Sequence, residues 1–170
     1  MKKLFEADFF PRTVGVNSAP PEPVLGSAAK EKRRILIVDD DANSTHLVKI
    51  LLERSGPYLV LEENDSTKAD QTAHNFKPDV ILLDIVMPKM DGGELATQIE
   101  SNRELHDIPI IFLTALVTHG EAKSGLHIQG HPMVAKPISI PELIEAIEKH
   151  LSERTECRPL RSHAIFAAQS

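Results

Sequence analysis

The segment RRILIVDDDANS, residues 33–44, joins a run of aliphatic residues to a block of negative charge. The run at residues 35–38 is typical of a strand that a sheet buries on both faces. Asp39, Asp40 and Asp41 follow it directly. Neighbouring carboxylates raise one another's pKa unless a cation neutralises them. The segment therefore predicts a fully buried strand that ends at a site needing positive charge.

Similar aliphatic runs recur along the chain and predict further strands. The runs are short, rich in branched residues and bounded by turn or charged residues. They lie at residues 58–61, 80–83, 110–113 and 133–135. Segments of helical periodicity lie between them, so five strands alternate with five helices. This alternation is typical of an α/β protein, in which right-handed crossovers build a parallel sheet with helices on both faces.

Several helix faces and helix starts are also predicted. Leu47, Ile50, Leu51 and Arg54 fall at helical spacing, and we expect the leucines and isoleucines of such stripes to lie in the core. The capping-box pattern is a side-chain acceptor followed three residues later by an acid, and it marks three helix starts. These are Asp91-x-x-Glu94, Thr118-x-x-Glu121 and Ser139-x-x-Glu142.

Composition divides the chain into three parts. Residues 1–31 contain scattered Pro, Ser, Ala and Gly without a sustained period, which predicts a disordered tail or linker. Residues 32–154 carry the alternating strands and helices and are expected to form one domain. Residues 155–170 are expected to form a short tail that is too small for an output domain.

Charge and hydropathy argue against several classes of partner. Residues 1–34 carry seven Lys and Arg against four Asp and Glu, whereas residues 35–170 carry twelve against twenty-one. An acidic body without Trp predicts no direct nucleic acid binding, which depends on clustered basic side chains and stacking aromatic rings. No apolar stretch has the length of a membrane span and no signal peptide is recognisable, so we expect a cytoplasmic protein without membrane contact.

Polar residues stand at the carboxyl ends of four predicted strands. The three aspartates follow the first strand, Asp84 the third, Thr114 the fourth and Lys136 the fifth. These strand ends meet at one edge of a parallel sheet, where such folds place their sites. Clustered carboxylates favour a hard divalent cation such as Mg²⁺. A cation, a lysine and a threonine hydroxyl around Asp84 would stabilise a transferring phosphoryl group and make this carboxylate a nucleophile.

Four segments together resemble the receiver domain of two-component response regulators. They are ILIVDDD, DVILLDIVMPKMDGGEL, IIFLTAL and MVAKP, within residues 32–153. The intervals of 44 residues from Asp40 to Asp84, 30 from Asp84 to Thr114 and 22 from Thr114 to Lys136 suit that family. The resemblance is to the stand-alone type of receiver. It implies a flavodoxin-like, doubly wound (βα)5 fold with a five-stranded parallel sheet in the order 2-1-3-4-5.

The resemblance implies a phosphorylation site with a bound metal. Asp84 would accept the phosphoryl group from a sensor histidine kinase or a histidine phosphotransfer protein. Asp40 would bind Mg²⁺ directly, Asp39 more loosely or through water, and Asp84 and the Val86 backbone carbonyl would complete the metal site. The protein would then signal by contact with a downstream protein, which the sequence does not identify, or pass the phosphate along a relay.

The resemblance also implies roles for residues around the phosphate. Lys136 would pair with the phosphoryl oxygens, and Thr114 would move inward to hydrogen-bond the phosphate. A cis peptide bond is usual before the family position that matches Pro137. Met133 stands where many receivers carry an aromatic residue that rotates with the threonine, so the coupled movement is expected to differ here.

Val86 and Leu116 occupy two positions that, in the family, tune the lifetime of the phosphate. Both side chains are apolar and cannot orient an attacking water by hydrogen bonding. Slow self-dephosphorylation is therefore expected, and the protein is expected to act as a signalling phosphoacceptor and not as a turnover enzyme.

Three polar residues near these motifs are not expected to bind a metal. Asp41 fits the first turn of a helix, where a negative charge favours the helix dipole. His127 and His131 have the spacing of a metal-binding pair on a helix, but Gly130 and Pro132 interrupt any helix there. We therefore expect both histidines to lie on the surface.

Two other functions compete with the phosphorylation switch. Asp39-x-Asp41-x-Asn43 approaches the D-x-D-x-T signature of haloacid-dehalogenase-type phosphatases, in which Asp39 would be the nucleophile and Asp41 the general acid. That hypothesis leaves the Met87-Pro88 turn and Thr114 unexplained. The second alternative is a receiver-like binding module that is never phosphorylated.

Overall fold

Strands and helices alternate along the chain in the computed structural model. The model describes residues 31–117, 120 and 127–156, and over 153–156 it describes the backbone alone. The strands are β1 (Arg33–Val38), β2 (Tyr58–Glu63), β3 (Val80–Asp84), β4 (Ile110–Thr114), β5 (His127–Ile128) and β6 (His131–Ala135). The helices are α1 (Ala42–Ser55), α2 (Ala69–Phe76), α3 (Gly92–Ser101) and α4 (Ile140–Glu156), with a 3-10 turn at Ser66–Lys68 before α2. Of the predicted tails, 1–31 and 155–170, only residues 31, 155 and 156 are described. The rest of both tails and the helix start at Thr118 lie outside the described residues. Among the described helices, none combines the length and the apolar character needed to cross a membrane.

The sheet has the order β2-β1-β3-β4-β6-β5. β2, β1, β3, β4 and β6 are parallel, which confirms the predicted five-stranded sheet, with β6 as the predicted fifth strand. β5 is a sixth, unpredicted strand that pairs antiparallel with β6. Gln129 and Gly130 make this hairpin possible because both adopt a positive φ, 52° and 88°, as two-residue hairpin turns require. A strand of two residues carries too little periodicity for the sequence to reveal it.

The strand ends lie slightly further along the chain than the aliphatic runs suggest. Asp84 is the last residue of β3 and Thr114 the last residue of β4, so both belong to strands and do not follow them. The parallel ladder continues through them, since Asp84 pairs with Leu113 and Thr114 with Ala135. Membership of the ladder fixes the backbone of both residues at the edge of the sheet.

Two apolar clusters cover the two faces of the sheet. On one face, α2 and α3 pack against alternate residues of the strands, including Leu36, Val38, Ile81, Leu83, Ile110 and Phe112. On the other face, α1 and α4 pack against the intervening residues, including Ile35, Ile37, Val80, Leu82, Ile111 and Leu113. Neighbouring residues of one strand thus enter opposite clusters. This explains why the central strands are continuous aliphatic runs.

The prediction that Leu47, Ile50 and Leu51 lie in the core is wrong. They are 58%, 39% and 37% exposed, whereas α1 faces the sheet through Val48 and Leu52. The two stripes are offset by one residue along the same helix, and both have helical spacing. Periodicity alone therefore leaves the choice of face open, and packing against the sheet decides it.

Candidate functional site

Three carboxylates meet at the carboxyl edge of the sheet. Asp39, Asp40 and Asp84 each offer an oxygen that lies within 4.8 Å of the others. Strands β1 and β3 are neighbours, with Val38 paired to Leu83, so the residues that follow these two lie side by side. Asp39 is 2% exposed and Asp84 7% exposed, while Asp40 is exposed. The cluster therefore consists of two buried acids and one that faces solvent.

Lys136 joins the two buried acids. Its Nζ donates to Asp39 Oδ2 at 2.7 Å and lies 3.0 Å from Asp84 Oδ1. The residue directly follows β6, and its backbone N–H donates to the Thr114 carbonyl at 2.8 Å. The Lys136–Pro137 peptide bond is cis, as the resemblance implied. The ammonium group therefore lies between carboxylates that are distant in sequence.

Burial and neighbouring charges both shift the pKa values of Asp84 and Lys136. Burial raises the pKa of the Asp84 carboxyl; the hydrogen bond and charge of Lys136 oppose this rise, and the charge of Asp39 adds to it. For Lys136, burial acts to lower the pKa, but its contacts with Asp39 and Asp84 outweigh burial and raise the pKa. Lys136 is therefore a permanent cation at neutral pH, and its charge opposes the effect of burial on the pKa of Asp84.

Asp41 turns away from this cluster. Its Oδ1 accepts the Asn43 backbone N–H at 3.0 Å, as an N-cap residue does, and α1 begins at the next residue. The predicted helix-start role is confirmed, one position before the first turn. The Asp41 backbone N–H donates to Asp39 Oδ1 at 2.9 Å. Because Lys136 contacts the other oxygen of Asp39, both oxygens of that buried carboxylate are held.

The loop after Asp84 is shaped by a close backbone approach. A Cβ added to Gly92 would lie 2.2 Å from the Asp84 carbonyl oxygen, so only glycine fits at that position. The Gly92 N–H donates to the Ile85 carbonyl at 2.8 Å, and Asp91 Oδ1 accepts the Glu94 N–H at 2.9 Å. The predicted cap at Asp91 is thus confirmed, and α3 starts beside the acidic cluster. Val86 lies in this loop, with 63% of its surface exposed.

Thr114 ends the neighbouring strand. The residue is fully buried, and its Oγ1 accepts the Leu116 backbone N–H at 3.0 Å. Leu116 itself is 65% exposed. The structure therefore places the threonine hydroxyl at the sheet edge that carries Asp84, in contact with the backbone of the following loop.

Around Met133, the structure buries more of one histidine than the sequence predicts. Met133 is 6% exposed and pairs with Phe112 across the sheet. The His131 ring packs edge-on against Phe112, with ring centroids 5.5 Å apart, and its Nε2 lies 3.1 Å from Glu100 Oε1. The prediction that His131 lies on the surface is wrong, because the hairpin turns its side chain onto α3. His127 is exposed, as predicted.

One segment beside the acidic cluster was missed in the sequence. Asn64 and Ser66 follow β2 and hydrogen-bond to backbone carbonyls of the Asp39–Asp40 loop and of the loop after Asp84. Their signal in the sequence is weak: an Asn-Asp-Ser run after the second strand, at the edge where the other strands end. Such a run also predicts an ordinary loop.

Comparisons with known proteins agree with this geometry. The family model described as "Response regulator receiver domain" matches residues 35–148. The alkaline phosphatase synthesis transcriptional regulatory protein PhoP of Bacillus subtilis is 35% identical over 73% of this chain, a match that covers 50% of PhoP. The polar-differentiation response regulator DivK of Brucella anthropi is 31% identical over 71% of this chain and 98% of DivK. The chain spans about half the length of several curated relatives that it matches.

A solved structure shows the same fold. The receiver domain of the Francisella response regulator 1452 superposes with a TM-score of 0.61 and is 27% identical. The match covers 72% of this chain and 98% of the Francisella domain. Because nearly all of that domain is matched, the described sheet and helices correspond to a whole receiver domain.

Proposed function

This chain belongs to the response regulator receiver domain family, and we propose that it is a phosphorylation switch in which Asp84 is the phosphoacceptor. The observation that carries the proposal is the position of the Lys136 ammonium, 2.7 Å from Asp39 and 3.0 Å from Asp84 at the buried end of the sheet. A carboxylate held there beside a permanent cation is placed to receive a dianionic phosphoryl group.

The acidic cluster fits a Mg²⁺ ion. Its three carboxylate oxygens lie within 4.8 Å of one another, and hard oxygen ligands are those that Mg²⁺ prefers. We assign Asp39, Asp40, Asp84 and the Val86 backbone carbonyl to the site. Bound Mg²⁺ would supply positive charge to the oxygens of the phosphoryl group during transfer.

The transfer step follows from the side chains present. A carboxylate oxygen of Asp84 attacks the phosphorus of a phosphohistidine; a P–O bond forms, the P–N bond breaks, and its electron pair leaves with the imidazole nitrogen. The Lys136 ammonium balances the negative charge that accumulates beside Asp84. The Thr114 hydroxyl then leaves the Leu116 N–H and turns to the new phosphoryl group.

The proposed partners follow from this chemistry. The phosphoryl donor is a sensor histidine kinase or a histidine phosphotransfer protein, and the output is a contact with a downstream protein or a further relay step. The acidic charge of residues 35–170 supports a protein partner over direct contact with nucleic acid. We place this activity in the cytoplasm, without membrane contact.

One experiment separates this function from its alternatives. The protein is incubated with Mg²⁺ and a small acyl phosphate, and acid-labile phosphate is located by mass spectrometry. Label on Asp84, absent in Asp84→Ala and retained in a control variant of the exposed Asp107, Asp107→Asn, supports the phosphorylation switch. No label on a folded protein would favour the unphosphorylated binding module.

Label on Asp39, with turnover of phosphate esters, would instead indicate a phosphatase. The structure favours the switch over that hypothesis because Asp41, the required general acid, accepts the Asn43 N–H as a helix cap. Both oxygens of Asp39 are also engaged, by Lys136 and by the Asp41 N–H.

A further inference from the structure

Residues 64–66, between β2 and α2, contact the loop that carries Asp39 and Asp40 and the loop that follows Asp84. This edge segment follows Glu63, whose carbonyl accepts the Asp39 backbone N–H at 3.3 Å. One of its side chains reaches the loop that holds Asp39 and Asp40, and another reaches the loop that holds Val86. The edge segment therefore bridges the two backbones that would supply the metal ligands.

Asn64 makes the contact with the first loop. Its Nδ2 donates to the Asp39 carbonyl at 2.7 Å and to Thr45 Oγ1 at 3.1 Å. The Asp39 carbonyl belongs to the peptide that links Asp39 to Asp40, so this bond sets the orientation of that peptide plane. Thr45 is 1% exposed and lies in α1. The side-chain amide of Asn64 thus links the Asp39–Asp40 loop to α1 through two hydrogen bonds.

Ser66 makes the contact with the second loop. The residue is 5% exposed, and its Oγ donates to the Pro88 carbonyl at 3.2 Å. The same carbonyl accepts the Met90 N–H at 3.0 Å across Lys89, which has a φ of 74°. Lys89 Nζ also lies 3.3 Å from Asp65 Oδ1. A buried hydroxyl and an ion pair therefore hold the loop that contains Val86.

The edge segment is itself anchored. Glu63 Oε1 accepts the Asp65 N–H at 3.0 Å, and Glu63 Oε2 accepts the Thr72 hydroxyl of α2 at 2.7 Å. The Thr67 hydroxyl donates to Asp65 Oδ1 at 2.7 Å. Because neighbouring elements hold both of its ends, the edge segment can keep the two loops at a fixed separation.

We propose that Asn64 and Ser66 are positioning residues for the Mg²⁺ site, which hold the Asp39–Asp40 loop and the Val86 loop at the separation that this ion requires. The inference rests on the metal site of the proposed function. Mg²⁺ demands near-octahedral geometry with short bonds, whereas Ca²⁺ accepts a larger and more irregular set of oxygens. Loss of positioning should therefore weaken Mg²⁺ more than Ca²⁺.

The test is a titration of the full chain with Mg²⁺ and, separately, with Ca²⁺, followed by NMR amide shifts. Asn64→Ala and Ser66→Ala should each weaken Mg²⁺ binding about tenfold, as loss of an outer-shell partner does, and Ca²⁺ binding by much less. Ser66→Thr, which keeps the hydroxyl, should restore Mg²⁺ affinity. Ser101→Ala is the matched control, since the Ser101 hydroxyl donates within α3, to the Thr97 carbonyl at 2.7 Å.

Two outcomes overturn the inference while the metal site stands. In one, the wild type binds Mg²⁺ and both alanine variants bind it within twofold. In the other, affinity for both ions falls equally, together with the melting temperature of the metal-free protein, and Ser66→Thr restores neither. A wild type that binds no Mg²⁺ overturns the metal site of the proposed function, and this inference with it.

Discussion

At the scale of single residues, the site depends on one cation between two buried acids. Lys136 contacts Asp39 and Asp84, and burial alone would disfavour every charge in this group. Asp40 adds a third, exposed carboxylate to this cluster. Lys136 is therefore a structural partner of Asp39 and Asp84, and in the proposed function it is also the charge that meets an incoming phosphoryl group.

Replacing Lys136 tests this dual role. Lys136→Met should slow labelling of Asp84 by an acyl phosphate about 100-fold or more, because a charged donor beside the reacting oxygens is lost. Lys149→Met, on the exposed side of α4, is the control and should label at the wild-type rate. Equal labelling rates in the two variants would remove Lys136 from the proposed mechanism.

Under the proposed function, we expect Val86 and Leu116 to govern the lifetime of the phosphate. Both are exposed, 63% and 65%, and neither can hydrogen-bond an attacking water. Val86→Asn and Leu116→Glu should each speed phosphate loss about tenfold, since a polar side chain there can orient or activate water. The decay of label on Asp84 measures this. Unchanged or slower loss contradicts the expected slow self-dephosphorylation.

At the scale of elements, α1 is attached to the sheet by one stripe while a second apolar stripe faces outward. Val48 and Leu52 are 5% and 0% exposed, whereas Leu47 is 58% exposed. The polar face is tied to β2 through Glu62, which lies 3.1 Å from Lys49 and 3.5 Å from His46. The position of α1 therefore depends on both apolar packing and an ion-pair network.

The two stripes of α1 should respond differently to truncation. Leu52→Ala should lower the free energy of unfolding by about 2–5 kcal/mol, because it leaves a cavity in the core. Leu47→Ala should change it by about 0.5 kcal/mol or less, as surface substitutions do. Urea unfolding of both variants makes the comparison. A larger loss for Leu47→Ala would mean that α1 is packed through the other stripe.

The Glu62 network should make stability depend on pH. Burial acts to raise the pKa of Glu62, but hydrogen bonds from Lys49 and His46 outweigh burial and hold it below the ordinary value of 4.5. The stabilisation is therefore complete above pH 4.5 and is lost as the pH falls through the lowered pKa. Glu62→Gln should cost about 0.5–1 kcal/mol at pH 7, and the difference from wild type should shrink as the pH falls from 4.5 through the lowered pKa of Glu62. A difference that stays constant over this range would exclude the ion-pair network as its cause.

At the scale of the whole molecule, binding of the proposed Mg²⁺ should be coupled to folding. Its proposed ligands come from the ends of β1 and β3 and the loops that follow them, so only the folded chain can bring them together. Mg²⁺ at ten times its dissociation constant should add about 1.4 kcal/mol to the free energy of unfolding. A chelator should remove this gain, and Asp40→Ala should abolish it. A gain that persists in Asp40→Ala would place the stabilising ion at a different site.

Five of the six strands, the helix start at Asp91 and a set of candidate site residues could be predicted from the pattern along the chain. Continuous aliphatic runs predict strands buried on both faces, and Asp91 caps α3 where its capping box predicted. Asp41, predicted in a first turn, lies one position earlier, as the N-cap of α1. The chemistry at the strand ends followed because parallel strands bring their carboxyl ends to one edge. These signals are local or topological, so a pattern along the chain contains them.

The folded structure was needed to show which stripe of α1 is buried, how the β5–β6 hairpin orients His131, and how Asn64 and Ser66 bridge two loops. Each of these features depends on distances between segments that are remote in sequence. Lys136 and Asp39 are 97 residues apart yet 2.7 Å apart in space, and Ser66 reaches Pro88 at 3.2 Å. Side-chain hydrogen bonds form wherever packing brings a donor to an acceptor, and such contacts between remote segments leave no periodic trace in the sequence.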